Sequence, residues 1–230
     1  PPWVAAMGRP SRAGLGAGAT ERTALFAADL DTGAIRRKIP WTEGGRHLFN
    51  DLALGADGTV YVSDSEAGTV HRVPPDGARF EALLPPGSLP YPNGLVLSKD
   101  GTALLVAAGG PGLYRVPIAG GPAVAIRIPA GLHLQGIDGL TRAGDRLVAV
   151  QNGLGPGRVA LLELDDPELA LRSIQILAAG QAELDGIPTT GDLSGTGFRF
   201  IANSQIPLLG LRGPRRKPAP FLIAEVALPQ

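Results

Sequence analysis

One pattern repeats along this chain and narrows what it can fold into. "FNDLALGADGTVYVSDSEAGTVHRV", from Phe49, aligns with "PNGLVLSKDGTALLVAAGGPGLYRV", from Pro92. Both carry an asparagine, an alternating apolar run, a polar-Asp-Gly turn, a second apolar run, a glycine and a third run ending Arg-Val. "GIDGLTRAGDRLVAVQNGLGPGRVALLEL" repeats the pattern with Asp138 in the place of the asparagine, and "LDGIPTTGDLSGTGFRFIANSQ" repeats it with Asp185. The anchors Asn50, Asn93, Asp138 and Asp185 stand 43, 45 and 47 residues apart. A period of about 40–50 residues with several short strands per unit is the mark of β-propeller blades. Neither a kelch nor a WD40 signature is present.

The remaining sequence fits this all-β reading. Glycine (33) and proline (22) make up about a quarter of the 230 residues, and they punctuate regular apolar segments. That is the composition of many short strands joined by turns. In the unit anchored on Asn50, strands are expected at Leu52–Leu54, Thr59–Ser63, Thr69–Val73 and Phe80–Leu84. The turns "GADG" and "SKDG" join the first two strands of their units, with glycine relieving the positive φ that such turns demand. Upstream, "WVAAMGRP", "TALFAADL" and "AIRRKIP" read as second, third and fourth strands of a unit without its first, and "SRAGLGAGAT" as a flexible loop. "FLIAEVALPQ" adds a strand to the last unit. The count is four full units and one lacking its inner strand, in a single propeller domain over residues 1–230 that reads as cut from something longer at its N-terminus.

Several function classes drop out. Lys+Arg and Asp+Glu are both 21, so nothing suggests an electrostatic footprint for nucleic acid. "RGPRRKP" (212–218) is the one basic cluster and reads as a solvated loop. No apolar run approaches the ~20 residues of a membrane span. Cysteine is absent, which excludes disulfides, thiolate metal sites and a cysteine nucleophile. No G-x-S-x-G elbow is present, which argues against a serine nucleophile.

The anchors begin the innermost strands, which in a propeller line the central channel. They are expected at one mouth of it, with Ser63, Asp64 and Ser65 ending the paired strand nearby. Gln151 and Asn152 are expected beside Asp138, and Asn203 at the end of the matching strand of the last unit. The set Asn50, Asp51, Asn93, Asp138, Asn152 and Asp185 is rich in oxygen donors, which suits a hard divalent cation such as calcium. Asn and Asp also favour turns and strand entries, but turn duty alone does not require the same residue types at one position of four units. His47, His71 and His133 read as spread over different blades without zinc-type spacing. His47 and His133 are candidates for the mouth and His71 for a structural role.

"FND", "PNGLVLSKDG" and "GIDGL", in that order and spacing, resemble the gluconolactonase / senescence marker protein (regucalcin) / luciferin-regenerating enzyme superfamily, from about Trp41 onward. The resemblance implies a six-bladed propeller, with about four and a half blades present here. It also implies one divalent cation, often calcium, at the channel mouth. Carried over, Asn93 and Asp138 are metal ligands, and Asn50 is a ligand or a substrate contact. The family's further ligand, a first-blade glutamate about two blades before the Asn-Asp motif, has no counterpart. Two periods before Asn50 fall ahead of residue 1.

The implied activity is hydrolysis of a small lactone or ester, with Asp138 as metal ligand and general base. Asn50, Asp51, Asn152, His133 and Asp185 are the expected substrate contacts. "PPGSLPY" (85–91) and "PAGLHLQ" (129–135) are the loops expected to set substrate choice. Two other readings stand beside this one. The first is a propeller that binds a ligand or a protein without catalysis. The second is a strictosidine synthase-like propeller, whose catalytic glutamate has no evident place here.

Overall fold

The structure, a computed structural model, describes residues 3–8, 22–153, 155–180, 187–204 and 220–229. Every regular element among them is a strand. In chain order these are β1 (Trp3–Gly8), β2 (Arg22–Ala28), β3 (Ile35–Pro40), β4 (Phe49–Leu54), β5 (Val60–Asp64), β6 (Thr69–Val73), β7 (Glu81–Ala82), β8 (Leu95–Leu97) and β9 (Ala103–Ala107). There follow β10 (Leu113–Pro117), β11 (Val124–Ala125), β12 (Ile137–Ala143), β13 (Arg146–Gln151), β14 (Arg158–Leu164), β15 (Leu171–Ala179), β16 (Gly191–Ser194), β17 (Gly197–Asn203) and β18 (Leu222–Ala227).

These strands form five sheets, and within each sheet the strand order follows the sequence: β1–β3, β4–β7, β8–β11, β12–β15 and β16–β18. This is the meander of propeller blades, and the fold is a β-propeller. The β4–β7 strands match the expected ones within a few residues, except that the fourth is only Glu81–Ala82. The upstream segments form a three-stranded sheet, β1–β3, as expected. The last sheet, expected to be complete, holds three strands among the described residues. The glycines of the two Asp-Gly turns have the expected positive φ, +87° at Gly58 and +67° at Gly101.

By its backbone contacts the chain divides into two compact units, Pro1–Val106 with Val116–Ala123, and Ala107–Arg115 with Val124–Gln230. In the first, Leu25, Ile39, Phe49, Val60, Val62 and Val73 form a core, with Trp41, Leu52 and Phe80 packed against it. In the second, Val148, Val150, Val159, Leu161, Ala178, Phe198, Phe200 and Ala202 form another.

The second strand of a blade is the most buried. All five residues of β5 and all five of β9 are buried. A strand flanked by sheet neighbours and covered on both faces cannot alternate inside and outside. In β9, "ALLVA", the covering is apolar throughout. In β5, "VYVSD", the last two residues are polar, and a buried polar group needs a partner. Those two partnerships organise the site.

Candidate functional site

In the first unit the inner hairpin is kinked where the anchor sits. β4 pairs with β5 as Phe49↔Asp64 and then Leu52↔Val62, so Asn50 and Asp51 together face Ser63. This is a β-bulge, a device that re-aims side chains and recurs beside active sites. The Ser63 hydroxyl fills it, accepting from the Asp51 amide at 3.0 Å. The Asp51 carboxylate then accepts from two backbone amides, Leu52 at 2.8 Å and Leu95 at 3.3 Å. Asp51 thereby joins β4 to the start of β8.

A second link runs parallel to the first. The Asn50 side-chain amide donates to Ser65 Oγ at 3.0 Å, and Ser65 Oγ donates to the carbonyl of Pro92 at 2.6 Å. Asn50 and Ser65 thus fix the backbone immediately before Asn93. The residue so placed has a buried amide oxygen, Asn93 Oδ1, that finds no donor among the described residues. The preceding Tyr91 is exposed and adopts a positive φ of 52°.

The second unit has a bulge at the corresponding place. β12 pairs with β13 as Ile137↔Gln151 and then Gly139↔Val150, leaving Asp138 as the extra residue. Asn152, just past β13, donates its side-chain amide to Asp138 Oδ2 at 2.5 Å and to the Pro188 carbonyl at 2.8 Å. The glycine after Asp138 is required by packing. A Cβ on Gly139 would lie 2.7 Å from Thr190 Cα and 2.8 Å from the Thr189 carbonyl oxygen. Buried Gln151 donates to the Gln135 carbonyl at 2.9 Å and accepts from Arg158 Nε at 2.7 Å, which pins the 129–135 loop. His133 in that loop is exposed, and its carbonyl accepts from Arg158. Asn203 ends β17, and Asp185 lies outside the described residues. The basic cluster at 212–218 lies outside them too.

The histidines require a correction. His47 and His71 are not on different blades; both converge on Asp64, at the end of β5. His47 Nδ1 lies 2.6 Å and His71 Nε2 3.2 Å from the same oxygen, Asp64 Oδ2. The other oxygen, Oδ1, accepts from the amides of Leu48 at 3.0 Å and Ala67 at 3.2 Å. Burial pushes the Asp64 carboxyl up, but the hydrogen bonds from His71, His47, Leu48 and Ala67 outweigh it and hold its pKa below the ordinary value.

Trp41 packs on this group, 4.1 Å from the His47 ring and 4.9 Å from the His71 ring, and Phe49 and Phe80 complete an aromatic wall. His47, Asp64 and His71 together could hold a metal ion, their ligand atoms lying within 4.8 Å of one another. Asp64 was expected at the end of its strand, but its pairing with His47 and His71 was missed because sequence spacing shows a strand pair only when its register is known. The legible signal was an acid closing a short strand that begins Val-Tyr-Val.

No protein-family model matches the chain, and no curated protein matches it. Solved structures do. A chain of the nidogen/laminin complex aligns at 19% identity and a TM-score of 0.58, over 78% of this chain and 64% of that one. The gluconolactonase XC5397 of Xanthomonas campestris aligns at 17% and 0.54, over 91% and 68%. The calcium-binding protein regucalcin of Agrobacterium tumefaciens aligns at 16% and 0.53, over 83% and 66%. At these identities the likeness shows the fold. The chain spans less than two thirds of the length of the first of these neighbours.

Proposed function

We propose that this chain is a divalent-cation-dependent hydrolase of small lactones or esters. The observation that carries the reading is Asn93 Oδ1, a buried acceptor with no donor among the described residues. Leaving such a group unpaired costs about 1–3 kcal/mol, and a hard cation is the partner an amide oxygen fits. Calcium is the expected ion, with Asn93, Asp138 and Asn50 as the ligands the family resemblance implies. When bound, such an ion polarises the substrate carbonyl as a Lewis acid.

The chain's own residues have defined tasks. Ser65 fixes the Pro92 carbonyl and so the entry of Asn93. Asn152 orients Asp138 through Oδ2, and Asp138 is the general base that takes a proton from the attacking water. Asn50, Asp51, Asn152, His133 and Asp185 are proposed as substrate contacts, although Asn50 and Asp51 also hold the backbone of the first unit together. The gluconolactonase and regucalcin neighbours support the reading at the level of fold.

The test is hydrolysis of a panel of small lactones with and without calcium. Turnover that requires the ion and is lost in Asp138→Ala supports the proposal. Turnover indifferent to a chelator removes the metal from the mechanism. Absence of turnover with calcium bound would favour a propeller that binds without catalysis.

A further inference from the structure

His47, Asp64 and His71 present a second kind of donor set, separate from the oxygen donors assigned to calcium. The three come from different pieces of one sheet: the loop before β4, the end of β5 and the middle of β6. Their ligand atoms lie within 4.8 Å of one another. Around one tetrahedral zinc, ligand atoms 2.0–2.2 Å from the metal stand ~3.3 Å apart. His71 Nε2 and Asp64 Oδ2 already have that separation, at 3.2 Å, and His47 Nδ1 has only to withdraw from 2.6 Å.

One tautomer of His47 turns a lone pair toward a cation beside Asp64. Its Nδ1 faces Asp64 Oδ2, and its Nε2 faces the Gly44 carbonyl at 3.3 Å. A neutral imidazole has one N–H. With Nδ1–H the ring donates to Asp64, and with Nε2–H it donates to Gly44 and leaves the Nδ1 lone pair for a metal. A metal there gives His47 and Asp64 a role, while the buried His71 Nδ1 meets no partner among the described residues. Gly44 becomes the outer partner that fixes the His47 tautomer, and the Leu48 and Ala67 amides become those that orient the carboxylate through Oδ1.

An entry path exists. His47 also lines a cleft of about 710 Å³, together with Trp41, Thr23, Thr42, Lys38 and Arg46. Its side chain is 11% exposed, whereas Asp64 is fully enclosed and His71 nearly so. A water from the cleft would complete the coordination.

We infer that His47, Asp64 and His71 form a binding site for a borderline transition-metal ion of the zinc class, inside the β4–β7 blade. Two imidazoles and one carboxylate select zinc, cobalt or nickel over calcium.

The test uses the full chain, stripped with a chelator and dialysed. Zinc alone is titrated by calorimetry, with calcium as the comparison ion. The expected result is one equivalent of zinc bound at least ~100-fold more tightly than calcium at this site. His47→Gln, Asp64→Asn and His71→Asn should each weaken zinc uptake by ~100-fold or more. Glu81→Gln, an exposed carboxylate on the same sheet, should leave it unchanged. Should the buried variants fail to fold, cobalt is added to the unmodified chain. One equivalent should give the intense visible absorption of a four-coordinate ion. No stoichiometric uptake, or the weak spectrum of an octahedral ion, overturns the site, and so does zinc uptake that survives all three substitutions.

Discussion

Asp64 and Asn93 lie in the same compact unit, and both place a polar oxygen out of solvent. They differ in what meets it. The Asp64 carboxylate is surrounded by two imidazoles and two backbone amides, whereas Asn93 Oδ1 meets no donor among the described residues. The lesson is one of accounting. A buried polar group that has partners supports the fold whatever else it binds, and one without partners asks for a ligand. Substitution at the first should cost stability, and substitution at the second should cost function.

The largest effect is expected at Asp64. Asp64→Ala leaves two imidazoles and two backbone amides without their acceptor, and a loss of about 3–5 kcal/mol is the scale for breaking a buried pair. Urea denaturation measures it. A loss below about 1 kcal/mol would mean that the carboxylate is no more than a spectator and would break the contrast. For Asp138→Ala the effect should appear in turnover, a drop of ~10²–10⁴ on the best lactone with the fold retained. Equal loss of secondary structure and activity would instead assign Asp138 to folding.

Ser65→Ala sharpens the link between the two regions. It removes the donor to the Pro92 carbonyl and the acceptor for Asn50. A destabilisation of about 1–3 kcal/mol is expected, with calcium affinity falling as well because Asn93 loses its support. Unchanged calcium affinity would show that Asn93 is positioned without Ser65.

The smallest effect is a pH dependence. Burial raises the Asp64 pKa, the hydrogen bonds together lower it by more, and the net value lies below the ordinary 3.8. A carboxyl depressed on folding stabilises the protein fully above its unfolded pKa and loses that contribution as pH falls through its folded pKa. The urea midpoint should therefore fall on acidification below about pH 4, with that increment missing in Asp64→Asn. Identical acid profiles for the two proteins would separate Asp64 from acid stability.

Much of this was legible in the sequence because a repeat is a statement about topology. The anchor spacing gave the succession of sheets, and the Asp-Gly turns gave the hairpins. The placement of Asn152 beside Asp138 followed from counting back across one hairpin. The bulges were not legible. Whether Asn50 and Asp51 face one residue or two depends on how β4 settles against β5, and the apolar pattern is the same either way. The Asp64 cluster was hidden for a related reason. His47 and His71 are 24 positions apart, and only the loop before β4, folding back over β6, brings them together. The sequence placed Asp51 among the oxygen donors and the substrate contacts, and its carboxylate also caps the amides of Leu52 and Leu95. An acid at a strand entry serves either role with the same local sequence.

The central claim is that the Asn93 amide oxygen exists for a ligand and not for the fold. Asn93→Leu tests it, because leucine has nearly the same shape and no oxygen to leave unpaired. Urea stability without calcium and calcium affinity should be measured on the same preparation. Stability should equal or exceed that of the parent, with calcium binding weakened at least tenfold. Lower stability by 1 kcal/mol or more, with calcium binding intact, would make Asn93 a structural residue and contradict the account.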